Sequence, residues 1–221
     1  MLDGNFRKSV ETVTLPTGRW LVRFGFSADV LTFSGLVFSI ATAFMIAFGH
    51  FWIAIVLLTL TGFHDLFDGP VAKASKRASQ RGAFFDSVVD RITDSLLLGG
   101  VAYYLTAHHH GQLVLLPFAI LTTTYMISYQ RSKAESLGMA AKGGLMERAE
   151  RMILLGIGML AKPIFIPVLW IMLALTFMTA AGRFWRIWQI AASPEPPMMQ
   201  AGRIHHHSSR LRRGLSRTSR S

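Results

Sequence analysis

Six long blocks of apolar residues follow one another along the chain, separated by short polar connections. Each block is close to the ~20 residues with which an α-helix crosses a bilayer. The pattern predicts an all-α polytopic membrane protein with six transmembrane helices, near residues 30–49, 51–72, 83–107, 112–133, 148–165 and 166–190. Pro163 and Pro167 crowd the last junction, so one long broken segment, and with it five spans, is the alternative.

The two ends of the chain differ from this apolar middle. In residues 1–29, Phe6 and Val10 recur at helical spacing between charged side chains, which predicts an interfacial amphipathic helix rather than a span. Residues 30–191 then form the six-helix domain. Residues 192–221 are rich in Pro, Ser and Arg, so we expect a basic disordered tail that suits anionic lipid.

The basic residues are distributed unevenly about the six blocks. The chain has 23 Lys and Arg against 12 Asp and Glu, and a net charge of +11. Only Lys162 falls in the first, third or fifth connection, so all the others lie on one side if there are six spans. This positive-inside asymmetry predicts that both termini are cytoplasmic and that the protein lies in the cell membrane. The excess charge then reflects topology and anionic lipid, not nucleic acid.

Acidic residues are scarce but clustered. Five of the 12 lie between Asp65 and Asp94, and the chain has no cysteine that could supply thiolate ligands. Asp65 and Asp68 are three residues apart and Asp86 and Asp90 are four apart, so each pair shares one face of a helix. Both pairs flank the basic second connection. A helical hairpin would therefore bring four carboxylates together near the cytoplasmic surface.

Such a cluster needs positive charge, because a carboxylate in a span is unfavourable by roughly 2.5 kcal/mol or more. Hard divalent ions such as Mg²⁺ or Mn²⁺ prefer these oxygen ligands. A structural ion network with Lys73, Arg77 and Arg91, or a cation or proton pathway, would also explain the acids. Gly69 and Gly82 let a ligand approach the backbone closely, and with the basic connection they favour phosphoryl transfer over an ion path.

A resemblance to a known family is carried by two segments, DLFDGPVAK at 65–73 and GAFFDSVVD at 82–90. In their Asp and Gly residues and in the eight-residue gap they resemble the signature of the CDP-alcohol phosphatidyltransferases. Lys73 stands where that family usually has Arg, which keeps the charge but loses the bidentate fork. The resemblance covers about residues 1–190. It implies a six-span fold, a site that faces the cytoplasm and a homodimer.

The resemblance also implies roles for particular residues. Two Mg²⁺ or Mn²⁺ ions would be held by Asp65, Asp68, Asp86 and Asp90, and Asp90 would also be the general base. The CDP-linked lipid would contact the segment before and in the first span, together with residues of the signature and the connection that follows it. These positions are Asp29, Val30, Leu31, Thr32, Gly69, Lys73 and Ser79.

A second basic region lies at the predicted inner ends of the later blocks. Arg131, Lys133, Arg151 and Arg183 together could form an anion site beside the carboxylates. The accompanying Ser-Tyr…Ala-Glu and Glu-Arg…Glu-Arg segments are similar to those of the actinobacterial phosphatidylinositol phosphate synthases. This resemblance implies an acceptor that carries a phosphate, with inositol phosphate as the expected one.

The sequence therefore predicts a metal-dependent enzyme that transfers a phosphatidyl group from CDP-diacylglycerol to a hydroxyl of a phosphorylated polyol, releasing CMP. Phosphatidylglycerophosphate synthesis from glycerol 3-phosphate is the enzymatic alternative. A cation transporter that uses the Asp cluster is the alternative of another class. A non-catalytic membrane scaffold fits poorly with the intact carboxylate set.

Overall fold

A computed structural model describes residues 23, 28–74, 79–108, 111–139 and 143–192. Most of the predicted amphipathic segment and almost all of the basic tail lie outside these residues. The regular secondary structure of the described residues is entirely helical, with no strand. A 3₁₀ turn, Gln112–Val114, accompanies six α-helices: α1 Ala28–Ala47, α2 Phe51–Ala74, α3 Gln80–His108, α4 Leu115–Ser136, α5 Arg148–Met159 and α6 Lys162–Ala191.

The connection between α1 and α2 is a tight turn built on a glycine. Gly49 has a φ of 73°, in the left-handed region that glycine adopts without strain. Its N–H donates to the carbonyl of Ile46 at 2.9 Å, and the N–H of His50 donates to the carbonyl of Met45 at 2.8 Å. These bonds satisfy the last carbonyls of α1, so the chain reverses at once and α2 begins at Phe51.

Helix α1 packs against both α2 and α3. The close approach depends on residues without side chains. A Cβ on Gly100 of α3 would collide with the backbone of Ala43, and a Cβ on Gly35 would lie 3.2 Å from the Cβ of His64 in α2. Within the described part of the chain, α2 and α3 do not pack directly on each other. The two acidic helices are thus held in place by a shared neighbour.

The second half of the domain is organised around α6. Both α4 and α5 pack against it, while α4 also contacts α3 and α5 contacts α2. A Cβ on Gly158 of α5 would lie 3.1 Å from Val168 and 3.3 Å from Phe165, so glycine permits the close α5–α6 contact. These contacts place the start of α5 beside the acidic part of α2.

The centre of the apolar core lies far along α2 from the Asp65 carboxylate. Phe51, Tyr104 and Phe165 form its aromatic centre, with ring centroids 4.8 to 5.7 Å apart. Asp65 follows Phe51 by 14 residues on the same helix, which separates them by about 20 Å at 1.5 Å per residue. The carboxylate of Asp65 therefore sits well away from this aromatic centre.

Three helical segments of the described chain are long and apolar enough to cross a membrane: Asp29–Ala47, Gln112–Ser136 and Lys162–Ala191. Phe51–Phe67 is a shorter apolar stretch. Large apolar side chains also cover the outside of the bundle, among them Phe33, Trp52 and Phe177. An exterior of this kind fits lipid rather than water. The predicted class, an all-α membrane protein, is confirmed.

The boundary between the last two apolar blocks differs from the prediction. The sequence pattern placed it near residue 165, whereas the structure turns at Leu160 and Ala161 and begins α6 at Lys162. Pro163 lies in the first turn of α6, where no backbone N–H is needed, so this proline starts the helix. Pro167 lies inside α6, and Pro70 lies inside α2, so neither ends its helix.

Candidate active site

Arg148, the first residue of α5, joins the two acidic helices. Its guanidinium forms an ion pair of 2.6 Å with Asp65 of α2 and donates a hydrogen bond to Oδ1 of Asp90 in α3. The three side chains are only 19 to 28% exposed. Carboxylates predicted from separate helices therefore do converge, and one arginine lies between them.

The convergence comes about differently from the predicted hairpin. Because α1 packs against both acidic helices, α2 and α3 stay apart in the described residues, and the long Arg148 side chain bridges them. Asp86, one turn before Asp90, is close enough to repel the charges of Asp65 and Asp90. The side chain of Asp68 lies outside the described residues.

Arg91 is the second cation at this cluster. It lies 3.6 Å from Asp90, next to it on α3, and its side chain is one-third exposed. The sequence named Arg91 as a possible partner of the acids, and the structure places it so. It named Arg77 and Lys73 as well, but the side chains of both lie outside the described residues.

A second ion pair follows one turn further along both helices. Nη2 of Arg151 lies 2.9 Å from Oδ2 of Asp94, and both side chains are buried. Arg151 also donates to the carbonyl of Met146. Asp90 and Asp94 are four apart on α3, while Arg148 and Arg151 are three apart on α5. The two pairs therefore form an ion-pair ladder between α3 and α5.

The segment before α5 is anchored against α6. The N–H of Met146 donates to Oγ1 of Thr179 at 3.1 Å, and a Cβ on Gly144 would lie 2.7 Å from Cγ2 of the same threonine. The carboxylate of Glu150 accepts a hydrogen bond from the N–H of Glu147, one half of a capping box at the start of α5. Together these contacts fix the position from which Arg148 reaches the acids.

The four basic residues predicted for the acceptor lie in different surroundings. Arg183 is buried and donates to the carbonyls of Ile127 and Gly143 at 3.0 and 3.1 Å, while Arg151 is held by Asp94. The other two, Arg131 and Lys133, are exposed on α4, and Arg131 pairs with Glu135 at 3.0 Å. Their shared role in binding a phosphate stays a prediction.

Two of the predicted CDP contacts, Asp29 and Ser79, approach Gly82 at the start of α1 and α3. A Cβ on Gly82 would lie 3.8 Å from Oδ1 of Asp29 and 3.3 Å from Oγ of Ser79. Ser79 precedes α3 and accepts a hydrogen bond from the N–H of Gly82 at 3.0 Å, so it caps the helix. Of the next residues, Val30 is exposed, and Leu31 and Thr32 are buried. Gly69 and Lys73 lie on α2, their surroundings outside the described residues.

An apolar groove of about 760 Å³ runs between α2 and α5. Its lining includes Leu58, Met152 and Ile157, and its polar end is formed by Asp65 and Arg148. The charged cluster thus opens onto an apolar channel on the side of the bundle. A ligand with a charged head and an apolar tail matches this arrangement.

The donor set at the cluster fits a divalent metal by its chemistry. Asp65 and Asp90 direct carboxylate oxygens at one cation position, which Arg148 fills, and carboxylate oxygen is the ligand that Mg²⁺ and Mn²⁺ prefer. Within the described residues, no three His, Cys, Asp or Glu side chains are close enough to form a complete set. The site suits a divalent ion because Asp65 and Asp90 converge on one position and Asp86 lies close to both.

Two relationships were missed by the sequence reasoning. It grouped Arg148 only with the basic inner face and gave Asp94 no partner, whereas the structure pairs Arg148 with Asp65 and Asp90, and Arg151 with Asp94. The sequence did contain a signal for this pairing. Asp90 and Asp94 lie one turn apart in the third block, and Arg148 and Arg151 lie one turn apart at the same predicted membrane face. Nothing in one sequence says which helices face each other.

The fold and the site define an all-α membrane protein with converging carboxylates beside an apolar groove. The family model for CDP-alcohol phosphatidyltransferase matches residues 26–191, and the chain belongs to this family. The resemblance drawn from the signature segments is thus confirmed. A phosphatidylinositol phosphate synthase of Streptomyces avermitilis is 34% identical over 157 residues, which are 70% of this chain and 64% of that protein.

Solved structures agree with this assignment. A crystal structure of phosphatidylinositol phosphate synthase from Mycobacterium tuberculosis with CDP-DAG bound has a TM-score of 0.74 and 27% identity, covering 84% of this chain and 96% of that one. The same enzyme in complex with manganese and citrate has a TM-score of 0.72 at 27% identity, covering 83% of this chain and 91% of that one.

Proposed function

We propose that this protein transfers the phosphatidyl group of CDP-diacylglycerol to a hydroxyl of a phosphorylated polyol, with inositol phosphate as the acceptor, giving phosphatidylinositol phosphate and CMP. One observation carries the proposal: Asp65 and Asp90 of separate helices converge on a single cation position at the polar end of an apolar groove. The relatives named phosphatidylinositol phosphate synthase support the choice of acceptor.

The proposed cofactor is a pair of Mg²⁺ or Mn²⁺ ions held by Asp65, Asp68, Asp86 and Asp90. When bound, the metal would neutralise the charge that develops as the bond to CMP breaks. The manganese complex of the mycobacterial enzyme supports a divalent ion. Removing the metal from purified protein with EDTA should abolish CMP release, and adding Mg²⁺ or Mn²⁺ should restore it.

The lipid donor is proposed to lie along the α2–α5 groove. An acyl chain would occupy the apolar length beside Leu58 and Met152, and the diphosphate would lie at the end marked by Asp65 and Arg148. The cytidine side would then reach the ends of α1 and α3, where Asp29 and Ser79 approach Gly82. The predicted CDP contacts Val30, Leu31, Thr32, Gly69 and Lys73 complete this proposed site.

Asp90 is the proposed general base. It would take the proton from the acceptor hydroxyl as that oxygen attacks the lipid-side phosphorus. Arg131, Lys133, Arg151 and Arg183 are proposed to hold the phosphate of the acceptor and so orient its hydroxyl. Asp94 would keep the Arg151 guanidinium in place, since the two side chains are paired at 2.9 Å.

The acceptor is tested by measuring CMP release from CDP-diacylglycerol in detergent with a panel of alcohols. Inositol phosphate should support release, while free inositol, free glycerol and glycerol 3-phosphate should not. Release with glycerol 3-phosphate alone would instead identify a phosphatidylglycerophosphate synthase. No release with any acceptor, at any divalent ion, would contradict the proposed enzyme and favour a transporter.

We also propose that all six helices span the cell membrane, with both termini and the site on the cytoplasmic side. The distribution of basic residues supports this orientation. Helix α5 has 12 residues, about 18 Å, which is short against a ~30 Å hydrocarbon layer, so it is the helix to test. A homodimer, implied by the family resemblance, stays a prediction.

The absence of native cysteine makes the topology directly measurable. Single cysteines at Gln112 and Lys162 should react with an impermeant maleimide from outside intact cells, and one at Ser136 only after the membrane is opened. All three positions lie at or beside helix ends and are exposed. A Lys162→Cys variant that reacts only from inside would mean that α5 does not cross.

A further inference from the structure

We propose that Arg148 is an internal cation that occupies the carboxylate site in the metal-free protein, and that it leaves the two carboxylates when a divalent ion binds there. The inference rests on the proposed metal-dependent function and adds an order of events to it. Its basis is that one guanidinium contacts both Asp65 and Asp90, which come from helices that do not pack on each other in the described residues.

Asp65, Asp86 and Asp90 repel one another, and each is partly withdrawn from water, so these three carboxylates need a counter-charge. Arg91 supplies some of it but is 3.6 Å from Asp90 and has no ion pair with Asp65 within the described contacts. Arg148 is thus the cation that holds α2 and α3 together at this end.

Nη1 of Arg148 contacts one oxygen from each acid, Oδ2 of Asp65 and Oδ1 of Asp90, and so lies where a divalent ion bridging the same two residues would lie. A guanidinium and a divalent ion cannot share that position, because like charges a few ångströms apart in a partly buried site repel strongly. Binding of one therefore competes with binding of the other.

The Arg148 side chain forms part of the α2–α5 groove, at the end where we place the diphosphate of the lipid. Nη1 of Arg148 contacts both acids, and Nε has no hydrogen-bond partner among the described residues, so the guanidinium is held at one terminal nitrogen. Released from the acids, the planar fork would face an anion that it binds well. Metal binding would then prepare the site for the lipid.

Arg151 provides a matched comparison. It lies three residues further along α5, is also buried and also pairs with an Asp of α3. It contacts only Asp94, however, which is outside the proposed metal set. Loss of Arg151 should loosen α5 from α3 but leave Arg148, the proposed competitor of the metal, in place.

The test measures Mn²⁺ affinity by electron paramagnetic resonance, in detergent and without lipid or acceptor. Arg148→Gln should bind Mn²⁺ about tenfold more tightly than the wild type, since a competing charge is removed. Arg151→Gln should stay within about twofold of the wild type. If Arg148 instead orients the metal ligands, Arg148→Gln will bind more weakly. Weaker or unchanged affinity overturns the proposal.

Thermal unfolding covers the case in which Arg148→Gln is unstable without metal. In EDTA the melting temperature of Arg148→Gln should be lower than that of the wild type. Addition of Mn²⁺ should raise it by more than it raises the melting temperature of the wild type. Arg148→Lys, which keeps a charge on a shorter side chain with a single nitrogen, should lie between them. Equal metal-induced shifts in all three proteins would overturn the proposal.

The wild-type protein gives a second measurement that needs no variant. Phenylglyoxal modification, followed by mass spectrometry, should be slow at Arg148 in EDTA and severalfold faster with Mn²⁺, whereas modification of Arg151 should not change. Unchanged modification of Arg148 would contradict release. These measurements do not involve the acceptor. Tight Mn²⁺ binding without CMP release would therefore contradict the proposed function but not the displacement of Arg148 by the metal.

Discussion

Arg151 of α5 and Asp94 of α3 form an ion pair of 2.9 Å in which both side chains are buried. Together with the pairing of Arg148 to Asp90, it links two helices whose backbones do not pack on each other in the described residues. Long side chains therefore connect α3 and α5 at this point. The space for a ligand lies beside them, in the groove between α2 and α5.

Asp94→Asn should lower the free energy of unfolding by about 3 kcal/mol, because it leaves a buried guanidinium without its counter-charge. The matched control is Glu135→Gln, which breaks the Arg131–Glu135 pair at a similar distance but with both side chains about half exposed. That change should shift stability by about 0.5 kcal/mol or less. Apparent melting temperatures in detergent report both, and equal shifts would contradict a buried role for Asp94.

Gly100→Ala should destabilise the protein by about 2 kcal/mol, because the new methyl group would collide with the backbone of Ala43 and push α3 away from α1. Gly99→Ala is the control one residue earlier on the same helix. A Cβ there meets nothing within 4 Å, so alanine should be neutral or stabilising by up to about 1 kcal/mol. A Gly100→Ala protein as stable as Gly99→Ala would mean that α1 and α3 are further apart.

Asp90→Asn should reduce CMP release by about 100-fold or more while the protein still elutes as a folded species from a sizing column. Asparagine has nearly the same shape but cannot accept the proton of the acceptor hydroxyl. Glu195→Gln, an acid-to-amide change at a residue that has no part in the proposed site, should retain activity. Full activity in the Asp90 variant would remove Asp90 as the general base.

Gly62→Leu should raise the KM for CDP-diacylglycerol about fivefold or more with a smaller effect on kcat, because it adds an apolar side chain inside the α2–α5 groove. A Cβ at Gly62 meets no atom within 4 Å, so the protein should tolerate the larger side chain. Gly182→Leu on α6, equally free of neighbours and outside the groove, should leave KM unchanged. Equal KM values for both variants would indicate that the acyl chain does not bind in the α2–α5 groove.

Much of the architecture could be predicted because it depends on local pattern. Apolar blocks of bilayer length predicted the helices, and the structure has six between Ala28 and Ala191. The spacing of Asp65, Asp86 and Asp90 predicted carboxylates on shared faces, and two of these three do meet at one cation. The position of the last helix break was wrong, because a proline can begin a helix as well as interrupt one.

Partners across the bundle could not be predicted in the same way. Arg148 and Arg151 were visible as basic residues at the inner end of the fifth block, but their distances from Asp65, Asp90 and Asp94 depend on how the helices are arranged. That arrangement follows from contacts such as Gly100 against Ala43, which join residues 57 positions apart. Nothing in the local sequence pattern encodes a separation of that length.

The sequence by itself determined the class of protein and its chemistry: apolar helices, acids at metal-binding intervals and a signature that identifies the family. Those properties belong to single helices and short segments, so spacing is enough to read them. Only the tertiary structure decided that α1 keeps the acidic helices apart, that Arg148 fills the position between their carboxylates, and that this position opens onto a groove. Each of these depends on the packing of whole helices, which no short segment contains.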